Sequence, residues 1–142
     1  MILPNPFLNF VTMKSRQLTA SDYEILCEWW EEWGWAVPPP KSILSDLGVM
    51  ITLDGVNVCA GYLYLISTSK VAWFSFPVSN PIIRKSDRKD ALRMLVREIE
   101  KLAKEHGVVH LYSALRNQNM IDVQKQEGYV ANSGYTELIK NL

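Results

Sequence analysis

The sequence predicts a mixed α/β (α+β) domain, with a mostly antiparallel central sheet flanked by helices on both faces. Three observations carry this. Between residues 49 and 78, three runs rich in Val, Leu, Ile and Tyr follow one another across short turns, the pattern of an antiparallel meander. Directly after it, Leu92, Leu95, Val96, Ile99, Leu102 and Ala103 recur at helical spacing, and another strand-like run follows. At 142 residues, the chain is long enough to bury one core but would leave two domains near the lower limit of stability.

Residues 1–12 carry Pro4, Pro6 and Asn9 and read as an N-terminal arm ahead of a single domain, 13–142. Phe7, Leu8 and Phe10 favour a docked arm over an exposed one. A first strand covers 12–18. Ser21 and Glu24 fit a capping box, behind which Ile25, Leu26, Trp29, Trp30 and Trp33 mark a helix that stops at Gly34. Pro38-Pro39-Pro40 enforces an extended bend, and 42–47 makes one or two helical turns before Gly48.

Strands at 49–53, 56–66 and 71–78 are joined by the Asp54-Gly55 hairpin signal and by a polar turn. A loop holding Asn80-Pro81 leads to a helix over 86–106, with Glu100 and Lys104 as a surface i,i+4 pair and Gly107 as its stop. A strand at 108–115, a short helix at 119–127 ended by Gly128, and two closing strands at 129–131 and 135–139 complete the order β-α-α-β-β-β-α-β-α-β-β. The strands at 71–78 and 108–115, joined by a helical crossover, are expected to run parallel. There is no internal repeat and no low-complexity tract.

Fifteen basic residues balance fifteen acidic ones, which argues against a protein that coats nucleic acid or an anionic membrane. A composition 48% hydrophobic and 21% charged excludes disorder for most of the chain. Two cysteines, Cys27 and Cys59, are too few for a disulfide scaffold and read as buried small apolar residues. Two cysteines and two histidines without close spacing give no metal signature. No apolar run reaches the roughly 20 residues of a membrane span, and the start lacks the basic residues and cleavage site of a signal peptide. A cytoplasmic setting is the expectation.

The element order, together with three stretches, resembles the GNAT superfamily of N-acetyltransferases from about Met13 onward. These stretches are Arg16-Gln-Leu-Thr-Ala-Ser-Asp22, the strand at 71–78 followed by a loop and amphipathic helix, and Asn117 followed by Gln126-Glu127-Gly128-Tyr129. The resemblance implies a GNAT-like fold and acetyl-CoA or another acyl-CoA as co-substrate. It also implies that the strands at 71–78 and 108–115 splay apart to admit pantetheine. The carbonyl of the thioester would be polarised by a backbone N–H near Phe76–Val78, and Asn117 would meet the pantetheine arm, its alternative being a turn residue.

The family's phosphate loop reads Gln/Arg-x-x-Gly-x-Gly/Ala, and here Ser86-Asp87-Arg88-Lys89-Asp90-Ala91 keeps only Ala91. Arg84, Lys85, Arg88 and Lys89 offer side-chain cations in place of glycine amides. The alternative is a solvated helix start, with Ser86 as cap and Asp87 and Asp90 on the helix dipole.

Gln124 stands where many members carry a Tyr that protonates the leaving thiolate, and it reads as an exposed helix residue. A carboxamide has no proton to give. Ser75 stands near the place of a Glu base and cannot serve alone. His110, titrating near neutrality, and Tyr112, on the same strand face, are the candidate acid–base residues, against structural roles. His106 reads as a helix-end cation. On the first helix, Glu28, Trp30 and Trp33 suit a cationic acceptor through charge and cation–π contacts, against the reading that the tryptophans are core.

The resulting expectation is an N-acyltransferase acting on a small-molecule or protein amine. The glycine-free loop and the missing Tyr and Glu keep open a catalytically degenerate GNAT-like module that binds a protein or small ligand. Acceptor, acyl group and oligomeric state are left open by the sequence.

Overall fold

The chain, described over residues 12–142 in a computed structural model, lays five strands side by side in sequence order. They are β1 (Met13–Gln17), β2 (Gly48–Leu53), β3 (Val56–Leu65), β4 (Val71–Ser79) and β5 (His110–Ser113). The first four pair antiparallel, and β4 pairs with β5 parallel. The parallel step is made by α2 (Lys85–Glu105), the long crossover. Helices α1 (Tyr23–Glu32) and α3 (Gln118–Gln126) complete the regular structure. Of the arm, residues 1–11 lie outside the described residues, while Thr12 bonds to Asp54 through backbone and side chain.

Alternation along the strands builds two cores. On one face Val49, Ile51, Val58, Leu63, Ala72 and Phe74 meet Leu95, Val96 and Ile99 of α2 and Met120 and Val123 of α3. On the other, Met50, Ala60, Tyr62 and Val78 meet Leu26, Trp29 and Trp30 of α1. Helices therefore cover both faces, as the sequence predicts.

Four expectations are corrected. The helix start is capped two residues earlier than Ser21/Glu24 suggest: Asp22 Oδ2 accepts from the Thr19 N–H at 2.8 Å around a 3-10 turn over Ala20–Asp22. Residues 42–47 give a single 3-10 turn, Lys41–Ile43, because Ser45 is drawn to β3 instead, its hydroxyl donating to the Leu63 carbonyl at 2.6 Å. The strand at 108–115 shortens to four residues. The closing strands at 129–131 and 135–139 are not formed: 129–142 has no regular structure, and Val130, Tyr135, Leu138 and Ile139 are exposed. A three-residue run around a Gly turn offers too short a ladder to hold a hairpin by itself.

Candidate active site

The sheet opens between β4 and β5. They register over four pairs, from Val71 with His110 to Phe74 with Ser113. Beyond Phe74, β4 runs on to Ser79 with no strand partner on that side among the described residues. Its other edge is disturbed at the same level: the register with β3 jumps from Tyr62–Ser75 to Ala60–Val78, leaving Phe76 and Pro77 opposite Gly61. Phe76 has φ +55°, a left-handed conformation that a bulky residue adopts at a cost. Its ring rests edge-on against Tyr64, centroids 6.0 Å apart. Val78 is buried beneath α1.

Which backbone groups face the gap follows from alternation. Asn80 N–H donates to Val58 O at 2.7 Å, so Val78, two residues back, also points to β3. Ser79 points the other way, and its carbonyl accepts the indole N–H of Trp33 at 2.7 Å. Pro77 has no N–H. Of the stretch 76–78, Phe76 is left as the residue whose N–H is not committed by register to β3.

The four cations do not act as one cluster. The Arg88 guanidinium donates to the carbonyls of Ile83 and Pro81 and lies over the Trp33 ring, 5.4 Å from its centroid. Arg84 bonds to Asp87 at 3.3 Å across the first turn of α2. Lys85 and Lys89 are exposed and make no ion pair among the described residues. Ser86 is exposed; Ala91 is fully buried against the core. Asn80 shapes the turn into α2, its Oδ1 accepting from Ile82 N–H and its Nδ2 donating to Asn57 O.

On the β5 side, His110 and Tyr112 are exposed on the face opposite α2, and Tyr112 stacks on Trp73 at 5.4 Å. His110 lies three residues, about 10 Å, back from the end of the pairing. Ser113, the last paired residue, faces α3, and its hydroxyl donates to Gln124 Oε1. Gln124 is therefore not an exposed helix residue: it is 3% exposed, and its Nε2 has no hydrogen-bond partner among the described residues. Asn117 caps α3, its Oδ1 accepting from Met120 N–H at 3.1 Å.

The acceptor-side trio separates. Trp30 is fully buried, one of the largest side chains of the α1 core, so it cannot form a surface wall. Glu28 is exposed, and Trp33 is half-exposed at the end of α1. The structure thus brings Trp33, Arg88 and Ser79 together, a grouping that residue spacing does not reveal. The bulge did leave a signal: Pro77 inside an otherwise central strand marks a break in the ladder. No group of three or more His, Cys, Asp or Glu among the described residues is arranged to hold a metal ion. None of the described helices is long and apolar enough to cross a membrane.

No protein-family model matches this chain, and no curated protein sequence matches it. Solved structures do. An N-acetylglutamate synthase from Neisseria gonorrhoeae, complexed with coenzyme A and N-acetyl-glutamate, aligns with TM-score 0.62 at 14% identity over 80% of this chain. The match spans only 28% of that longer protein. The aminoglycoside N-acetyltransferase AAC(6')-Iy, in complex with CoA, aligns with TM-score 0.66 at 15% identity over 99% of this chain and 100% of its own. A predicted acetyltransferase with acetyl-CoA from Clostridium acetobutylicum aligns with TM-score 0.61 at 14% identity, over 90% of this chain and 96% of that one. A meander that ends in one parallel step, opening between the strands that make it, is the GNAT acetyltransferase fold, and this chain has it.

Proposed function

We propose that the chain is an N-acyltransferase that moves an acetyl or other acyl group from acyl-CoA to an amine, borne by a small molecule or a protein. The observation that carries this reading is the opening between β4 and β5 beside the left-handed Phe76 bulge. A strained residue where the backbone turns toward a cleft is a device for aiming an N–H at a ligand.

In this reading the pantetheine arm lies in the gap, and Phe76 N–H donates to the thioester carbonyl oxygen as negative charge grows on it. Lys85 and Lys89 at the start of α2, with Arg84 beside them, supply charge for the phosphates, aided by the free N–H groups of the first turn. Arg88 holds the turn that carries them. Glu28 and the exposed edge of Trp33 border the acceptor. Rate enhancement comes chiefly from holding amine and acyl carbon together.

The test is ligand-induced stabilisation followed by turnover. A ligand that binds only the folded state at about 100-fold its Kd stabilises by about 2.7 kcal/mol. Acetyl-CoA and CoA are expected to raise the unfolding midpoint, and a panel of amines to consume acetyl-CoA. Asp87 in the first turn of α2, negative charge where the phosphate would sit, favours the second reading, a degenerate binding module. Absence of any shift at millimolar CoA would select it.

A further inference from the structure

Gln124 occupies the point where β4 and β5 part. Ser113 belongs to the last register pair, and its hydroxyl donates to Gln124 Oε1. That bond orients the carboxamide: the oxygen faces Ser113, and the two protons of Nε2 face elsewhere. The side chain is 3% exposed, and Nε2 meets no acceptor among the described residues. Two other side-chain oxygens of the α2–α3 region, Glu100 Oε1 and Tyr129 Oη, are also buried without a hydrogen-bond partner among the described residues, and neither is bonded to Nε2. Other polar groups there are engaged. Arg93 and Arg97, on the neighbouring α2, bond to Gln126 and Glu127, and the Gln124 backbone carbonyl accepts from Tyr129 N–H. A buried donor that is anchored and left empty costs stability, and such groups in native structures mark a site or a missing acceptor.

We propose that Gln124 Nε2 is the hydrogen-bond donor for the sulfur of the bound acyl thioester, and that Ser113 is its positioning residue. This rests on the acyl-CoA reading above. The two walls of the opening then divide the work, the β4 backbone holding the carbonyl oxygen and the β5–α3 pair holding the sulfur. As the amine nitrogen bonds to the acyl carbon, the C–S bond breaks and its electron pair leaves on sulfur. The amine's surplus proton passes to water. Gln124 keeps both of its protons, and the thiolate takes one from solvent on release. A thiolate titrating near 8.5 is a weak base, so it needs a donor more than an acid. A hydrogen bond to an ionised acceptor is about twice as strong as a neutral one, so this contact tightens as charge develops.

The test is a thermodynamic cycle on binding. Affinities of CoA and of desulfo-CoA, in which the thiol is replaced by hydrogen, are measured by calorimetry near pH 8.5 for the wild type, Gln124→Leu and Gln124→Glu. Removing the sulfur is expected to weaken wild-type binding about tenfold and to change binding to Gln124→Leu by no more than about twofold. In Gln124→Glu, whose side chain is nearly the same size and keeps the Ser113 bond, CoA is expected to bind more weakly than desulfo-CoA. If the Leu variant does not fold, the sign reversal in the Glu variant decides. Equal CoA-to-desulfo-CoA ratios in wild type and variants overturn the role of Gln124 while leaving the acyl-CoA reading intact. Failure of either ligand to bind the wild type overturns both.

Discussion

Asp22 shows how one side chain sets a helix. Its carboxylate accepts two bonds from Arg16 of β1, each 2.8 Å, and one from Thr19 N–H. The Arg16 guanidinium is the main reason that its pKa falls to about 2, with burial opposing and the Thr19 bond assisting. A folded-state pKa below the unfolded value of about 3.9 means that the stabilisation is complete above pH 4 and is lost as pH falls toward 2. With Arg16 39% exposed and therefore screened, the contribution is about 1–2 kcal/mol. Asp22→Asn is expected to lose that amount at pH 7 and to flatten the acid side of the stability curve, as denaturant titrations at pH 2–7 would show. At Gly61, opposite the bulge, an added Cβ would stand 2.7 Å from the Phe74 ring and 3.3 Å from Leu95. Gly61→Ala is expected to cost about 1–3 kcal/mol, read as a lowered unfolding midpoint. The cap at Asp22 and the burial of Gln124 were not legible in the sequence. Ser21 and Glu24 offer an equally regular cap, and Gln124 looks like any polar residue on a short helix until β5 is laid beside it.

At the level of elements, the long-range pattern was legible wherever burial is periodic. The meander, the crossover α2 and the parallel step all follow from which positions are apolar. The cations proposed to meet phosphate are different, because charge near a helix start says nothing about what each side chain reaches. Arg88 is spent on the carbonyls of Ile83 and Pro81 and on Trp33, whereas Lys85 and Lys89 are exposed. The double substitution Lys85→Ala/Lys89→Ala is therefore expected to weaken CoA binding and to flatten its salt dependence, with a Debye length of about 10 Å at 0.1 M, while leaving the unfolding midpoint unchanged. Arg88→Ala is expected to do the reverse in part, lowering stability by about 1–2 kcal/mol as the turn and the stack loosen. Calorimetry at two salt concentrations beside thermal unfolding separates the two. The closing strands misled for a related reason: a short stretch carrying apolar residues such as Tyr135, Leu138 and Ile139 makes a strand only where an edge accepts it.

Across the whole molecule, cohesion is uneven. Residues 130–142 are exposed throughout and carry no regular secondary structure. Truncation before Val130 is expected to move the unfolding midpoint by no more than about 2 °C, measured by calorimetric scanning. Truncation before Tyr129 is expected to cost more, because Tyr129 packs on the α2–α3 core and burial raises its phenol pKa.

The short seam between β4 and β5 has a kinetic consequence. Four register pairs and the Ser113–Gln124 bond hold β5 on one side, and among the described residues no strand holds it on the other. The amides of β2 and β3, each flanked by two strands, can lose their protons to deuterium only when the whole domain unfolds, whereas those of β5 need only a local opening. Deuterium uptake should therefore run ahead along Leu111–Ser113, and a ligand seated in the gap should slow it there before it slows it anywhere else.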